Sequence, residues 1–145
     1  MSIKTRKLSH PMGEEILDVD LTQPMDDSVF GQIYQTLLDR CLIAFRGQTI
    51  TREQYIAFMQ RFGEPSLEQG GRLPDYPAIT CLINTPRTDG GAPDAHVPGS
   101  DWHSDGSFRI NPTKITVLHA IKIPETGGDT EFANMYLAYE TLSDG

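Results

Sequence analysis

His103 and Asp105 stand two residues apart in Asp101-Trp102-His103-Ser104-Asp105-Gly106-Ser107-Phe108. An imidazole nitrogen and a carboxylate oxygen together suit a divalent metal of intermediate hardness. If the stretch is extended, residues i and i+2 share a face and the two donors converge. They would then form two thirds of a 2-His-1-carboxylate set, the usual non-heme Fe(II) site. No third donor is evident from spacing, and a lone His-x-Asp pair is weak by itself. Trp102 and Phe108 flank the pair and predict a partly dehydrated setting, in which charge interactions strengthen.

A loop precedes the pair. Asn84 to Ser100 carries Pro86, Gly90, Gly91, Pro93, Pro98 and Gly99. A loop this long inside a compact domain is usually functional or disordered, and its position suggests a lid. The strands and helices that must hold the pair are readable from hydrophobic period. Residues 14–21 alternate and read as a short strand. Asp26 and Asp27 offer an N-cap for a helix over 28–40. Its apolar face is formed by Val29, Ile33 and Leu37, with Tyr34, Leu38 and Cys41 on the adjoining stripe. Residues 41–45 read as a buried strand. Thr51 and Gln54 make a capping box that opens a helix over 52–61, with Tyr55, Phe58, Met59 and Phe62 inward. Gly63 and Pro65 stop it. Residues 78–83 read as a strand. Thr113 to Ile123 alternates: Ile115, Val117, His119, Ile121 and Ile123 share one face of a strand of about ten residues. Residues 124–128 form a turn, 129–132 a further strand, and Asn134 caps a short helix.

The composition sets limits. The chain has 145 residues and a formal net charge of −8, with no basic cluster. That argues against nucleic-acid and anionic-membrane partners. No apolar run approaches the roughly 20 residues of a membrane span. No signal peptide is visible after the polar Met1 to Lys7. Cys41 and Cys81 lie in apolar settings, read as two buried thiols of a reducing, cytoplasmic compartment. The order of elements, two helices first and then strands, predicts an α+β fold with a β-sandwich or jelly-roll core. About six strand segments are counted against roughly eight in a complete jelly roll, so the core reads as incomplete.

Two blocks now carry a resemblance. Trp102-His103-Ser104-Asp105-Gly106-Ser107-Phe108, followed by Pro124-Glu125-Thr126-Gly127-Gly128-Asp129-Thr130-Glu131-Phe132, resembles the taurine dioxygenase / 2,4-dichlorophenoxyacetate dioxygenase (TauD/TfdA) family. Gly13 to Ile16, Val19 to Leu21, Phe45 to Gln48 and Arg61 to Glu64 resemble that family's N-terminal half. The wording of the two blocks is nearer the phenoxyacetate branch. The resemblance implies a double-stranded β-helix (jelly-roll) core and an Fe(II)- and 2-oxoglutarate-dependent dioxygenase. Such an enzyme consumes O₂ and hydroxylates a small organic substrate, here an anionic one, with succinate and CO₂ as co-products. It implies that His103 and Asp105 are metal ligands and that Thr130 binds the distal carboxylate of 2-oxoglutarate. A carboxylate at 105 favours hydroxylation over halogenation, which in relatives uses a small residue there. Residues 65–73 would line the substrate entrance.

The remaining candidates have plainer roles. His10 is near a terminus, His96 is a solvated loop histidine, and His119 is in phase with core positions. Arg46 reads as structural, pairing with a carboxylate near the site rather than binding substrate. Gly127 and Gly128 set turn geometry, because glycine permits positive φ. Residues 1–145 therefore read as a single, C-terminally truncated domain, inactive or nearly so alone. A homo-oligomer of the full-length protein is compatible with the sequence. The alternative is a truncated, catalytically inactive cupin-like binding module, and an unrelated metal hydrolase using the same pair stays open. Under the leading reading, sequence encoded downstream of Gly145 contains a histidine followed by an arginine. Sequencing past that point checks it, and an immediate stop codon favours the binding module.

Overall fold

The computed structural model describes residues 2–67, 72–82 and 101–143. The loop expected over 84–100, with His96, and residues 68–71 of the expected entrance lie outside the described residues. The chain divides into two compact units. One comprises Met1–Arg61 with His119–Gly145, the other Phe62–Leu118.

The first unit is built on a three-stranded sheet of β1 (Thr5–Lys7), β2 (Glu14–Ile16) and β3 (Ile43–Phe45), in that order. β1 pairs antiparallel to β2, with Thr5 opposite Ile16. β2 pairs parallel to β3, with Glu14 opposite Ile43 and Ile16 opposite Phe45. Parallel neighbours require a crossover, and α1 (Asp27–Arg40) supplies it. Ile33 is fully buried on this helix. Burying a side chain of that size stabilises by about 1.5–3 kcal/mol. Asp26 is the N-cap residue but makes no side-chain cap bond; Asp27 places a negative charge in the first turn, where the helix dipole favours it. At the other end Cys41 adopts a left-handed conformation, φ 63°, and its N–H donates to the Leu37 carbonyl at 2.8 Å.

α2 (Arg52–Gln60) opens on the expected capping box. The Gln54 N–H donates to Thr51 Oγ1 at 3.2 Å, and the Thr51 N–H donates to Gln54 Oε1 at 2.8 Å. Phe58 is buried, its ring edge-on to Phe45 at 5.5 Å. Beyond the helix, Arg61 donates to the Met25 carbonyl at 2.9 Å and to Asp27 at 2.7 Å, with its guanidinium over the Phe30 ring. α3 (Met135–Glu140) is capped by Asn134, whose Oδ1 accepts from the Leu137 N–H at 3.1 Å. The Asn134 amide also donates to the Pro11 carbonyl at 2.8 Å. The His119 ring stacks on Tyr55 at 5.7 Å.

β2 carries two consecutive buried glutamates. Alternation sends them to opposite faces. Arg40 meets Glu14 at 3.2 Å; Arg6 and Arg46 meet Glu15 at 2.6 and 3.5 Å. Arg46 thus pairs with a carboxylate, that of Glu15 in the first unit, whereas His103 and Asp105 belong to the second. In the second unit, β4 (Arg72–Leu73) and β5 (Tyr76–Thr80) form an antiparallel pair, with Leu73 opposite Tyr76.

Several expectations are corrected. The strand over 14–21 shortens to β2, because the chain bends at Asp18 and turns at Leu21, where Asp20 Oδ1 accepts from the Thr22 N–H and hydroxyl. The second α1 stripe is partly open: Leu38 is exposed. Both thiols are exposed, not buried. Cys41 sits in the helix-ending turn, and Cys81 follows β5. Neither 113–123 nor 129–132 is a strand, since no ladder partner reaches them among the described residues. The alternation over 113–120 survives only as burial, with Thr113, Ile115, Val117 and His119 half-buried and the residues between them exposed. Among the described residues the strands make two small sheets, and a double-stranded β-helix is not seen. β1 and β4 have no counterpart in the sequence reading.

The Glu15 carboxyl is held below its ordinary range, first by the hydrogen bond from Arg6, against an opposing effect of burial. A depressed carboxylate contributes stability that is present above its unfolded-state value and lost as pH falls through the folded-state value. Glu15→Gln is therefore expected to be less stable than wild type at neutral pH. The gap should close on acidification below the ordinary glutamate range, as measured by urea unfolding at a series of pH values.

Candidate metal centre

His103 and Asp105 lie in the second unit, His103 in an irregular stretch and Asp105 at the start of a turn, rather than on a strand. The convergence expected from strand alternation is therefore produced by different local geometry. Gly106 has φ +61° and is buried. Its carbonyl accepts from the Arg109 N–H at 3.1 Å, and the Ser107 hydroxyl donates to the Ser104 carbonyl at 3.4 Å. The left-handed conformation is strained for any residue with a Cβ. A Cβ at 106 would also collide with the Thr113 hydroxyl. The turn and the extended segment after Pro112 are thus in direct apposition, and only glycine allows it.

Within this turn His103 Nδ1 lies 2.7 Å from the Asp101 carbonyl oxygen. A carbonyl only accepts, so Nδ1 carries a hydrogen. Nε2 then faces Asp105 Oδ1 at 3.3 Å. In neutral imidazole both facing atoms present lone pairs, an arrangement relieved by a proton or a cation between them. The hydrogen bond to the Asp101 carbonyl raises the His103 pKa first; burial opposes it, and the charge of Asp105 adds to the rise. The other Asp105 oxygen, Oδ2, accepts from the Thr116 hydroxyl at 2.7 Å.

The donor chemistry fits part of a metal site. Two donors about 2.1 Å from one ion and at right angles stand roughly 3.0 Å apart, close to the observed separation. A hydrogen bond from the far imidazole nitrogen to a carbonyl is the usual way a ligating histidine is oriented. Among the described residues, no group of three or more His, Cys, Asp or Glu side chains assembles around an ion. The partly dehydrated setting expected from the flanking aromatics is not found: Trp102 is 70% and Phe108 85% exposed. The Arg109 guanidinium lies over the Phe108 ring, 5.7 Å from its centroid. The His103 and Asp105 side chains are themselves 55% and 39% exposed.

Thr130, the third sequence-predicted residue, is exposed in the first unit. It follows Gly127 and Gly128, both at φ 73°, which confirms the expected glycine turn. His119 is occupied by its stack on Tyr55. His10 is exposed, and its carbonyl accepts from Arg40. Sequence reasoning missed Thr116 and the obligatory role of Gly106. Thr116 had a faint signal, as a hydroxyl in an otherwise apolar run, but its partner is 11 residues away.

The comparisons with known proteins point one way. The family model described as "Taurine catabolism dioxygenase TauD, TfdA family" matches residues 4–145. The chain is 27% identical to the alpha-ketoglutarate-dependent 2,4-dichlorophenoxyacetate dioxygenase of Cupriavidus pinatubonensis, covering 98% of this chain and 53% of that protein. It is 33% identical to an alkylsulfatase of Acinetobacter baylyi, covering 98% of this chain and 43% of that protein. Among solved structures, a taurine dioxygenase from Burkholderia xenovorans matches with a TM-score of 0.82 and 35% identity, over 99% of this chain and 49% of the other. The chain spans about half the length of the curated relatives it matches.

Gly106→Ala is expected to destabilise the protein by about 1–3 kcal/mol through overpacking against Thr113, in addition to left-handed strain. A clear fall in melting temperature checks this. An unchanged one would mean that the turn and the 113–118 segment are not in contact.

Proposed function

Because this chain belongs to the TauD/TfdA family, we propose that it is part of an Fe(II)- and 2-oxoglutarate-dependent dioxygenase that hydroxylates a small anionic organic substrate. Support comes from the 3.3 Å approach of His103 Nε2 to Asp105 Oδ1, with the imidazole already set to offer Nε2. His103 and Asp105 hold the iron, and the Thr130 hydroxyl binds the distal carboxylate of 2-oxoglutarate. The bound metal and co-substrate supply the oxidising equivalent from O₂, with succinate and CO₂ as co-products. The protein's own part is to present two donors and orient the imidazole through the Asp101 carbonyl. The anionic substrate class is supported by the relatives' names, since 2,4-dichlorophenoxyacetate and taurine both bear an acid group.

The third iron ligand, a histidine, and the arginine that pairs with 2-oxoglutarate are supplied from beyond Gly145. Residues 1–145 then form one incomplete domain, and its jelly-roll core is completed by that further chain. The isolated 145 residues are inactive or nearly so. Two free, exposed cysteines fit a reducing cytoplasm, and among the described residues no helix is long and apolar enough to cross a membrane. The acidic balance disfavours nucleic acid and anionic membranes as partners.

The test uses the polypeptide at its full natural length. With Fe(II), 2-oxoglutarate and air, it should form succinate, and candidate anionic substrates should increase the yield. Asp105→Ala should reduce that yield by more than the roughly 100-fold that changes in outer-shell residues reach, with circular dichroism unchanged. Wild-type turnover in the Asp105→Ala protein would refute the ligand assignment. Absence of succinate from the wild type, across substrates, would favour the inactive binding module.

A further inference from the structure

The Asp105 carboxylate has two oxygens with different surroundings. Oδ1 faces His103 Nε2 at 3.3 Å, while Oδ2 accepts from Thr116 Oγ1 at 2.7 Å. From this asymmetry we infer that Thr116 is a positioning residue for Asp105: its hydroxyl engages Oδ2 and leaves Oδ1 as the single oxygen presented to the metal. The inference rests on the reading of His103 and Asp105 as metal donors.

Three observations support it. A hydrogen bond from a neutral hydroxyl to a carboxylate is charge-assisted and short, as this one is. Threonine is stiff at χ1, so the backbone of the 113–118 segment largely fixes where the hydroxyl points. That segment is seated against the turn a second time, where Thr113 closes on the Cα of Gly106. The turn that carries Asp105 and the segment that carries Thr116 are therefore apposed at two points three residues apart. Carboxylate rotation about its terminal torsion is otherwise broad. The Thr116 bond removes that freedom and disfavours chelation through both oxygens. On the other side, the Asp101 carbonyl performs the matching task for His103. Each donor thus has one atom held by the chain and one atom free to bind.

The test measures binding of Co(II) alone, without oxygen, by the protein at its full natural length. Dissociation constants and visible ligand-field spectra are recorded for wild type, Thr116→Val, Thr116→Ser and Asp105→Ala. Thr116→Val keeps the shape and removes the hydroxyl. It should weaken Co(II) binding by roughly 10–100-fold, the usual cost of losing an outer-shell partner, and shift the spectrum. Thr116→Ser should restore both. Melting curves of the metal-free proteins should be alike for wild type and both Thr116 variants. If Asp105→Ala is impaired but Thr116→Val binds and absorbs as wild type, the positioning role is wrong and the metal reading stands. The role is equally wrong if Thr116→Ser is as impaired as Thr116→Val. If Asp105→Ala binds as wild type, the metal reading falls, and this inference with it.

Discussion

Two adjacent carboxylates on a buried strand are the constraint that organises the first unit. Glu14 and Glu15 are both largely removed from water on β2. Such charges are tolerated only when paired and hydrogen-bonded. Their partners come from three different places. Arg6 belongs to β1, Arg40 ends α1, and Arg46 follows β3. The pairs therefore lock strand, crossover helix and returning strand into one register. Arg40 does most. Its side chain also donates to the Ser9 and Gly13 carbonyls, and its own carbonyl accepts from the Gly13 N–H. A cation in the last turn also suits the helix dipole. Deleting one partner of such a pair is costlier than the pair's net worth, because a buried charge is left uncompensated.

The second unit uses a different device around its two donors. No large ion-pair network is needed, because the groups are partly exposed. Two short hydrogen bonds and one left-handed glycine define the arrangement. His103 is oriented by a backbone carbonyl and Asp105 by a side-chain hydroxyl. Gly106 allows the chain to turn tightly enough for Thr113 to approach it. This is preorganisation by local geometry: each side chain is oriented by a bond to a neighbour within the same unit.

What was legible in the sequence follows from the range of each signal. The Thr51–Gln54 box, the α1 span and the Asn134 cap depend on residues three or four apart, and all three appear. Spacing also identified His103 and Asp105 as a converging pair, although a turn rather than a strand brings them together. Alternation over 113–123 marked Ile115, Val117 and His119 as inward, and these are half-buried, but Ile121 and Ile123 on the same expected face are exposed. It could not report whether a neighbour exists to build a ladder, because pairing is a property of two segments. β1 escaped notice since Thr5-Arg6-Lys7 is polar and exposed, held by its partner strand rather than by burial. The Thr116 contact was hidden for the same reason: nothing in either residue's neighbourhood names the other.

The unpaired run has a consequence for the order in which the molecule matures. β1, β2, α1, β3 and α2 all lie within the first 61 residues and satisfy one another. During synthesis, units of this kind form as they emerge, N-terminal first. The 113–118 segment emerges later, carrying both threonines that steady the His103–Asp105 turn, yet it belongs to no sheet among the described residues. An extended apolar segment without a ladder is a template for the wrong neighbour until the right one arrives. Settling of the His103–Asp105 turn thereby waits for residues 113–118, which are made after the first three strands and the two helices around them.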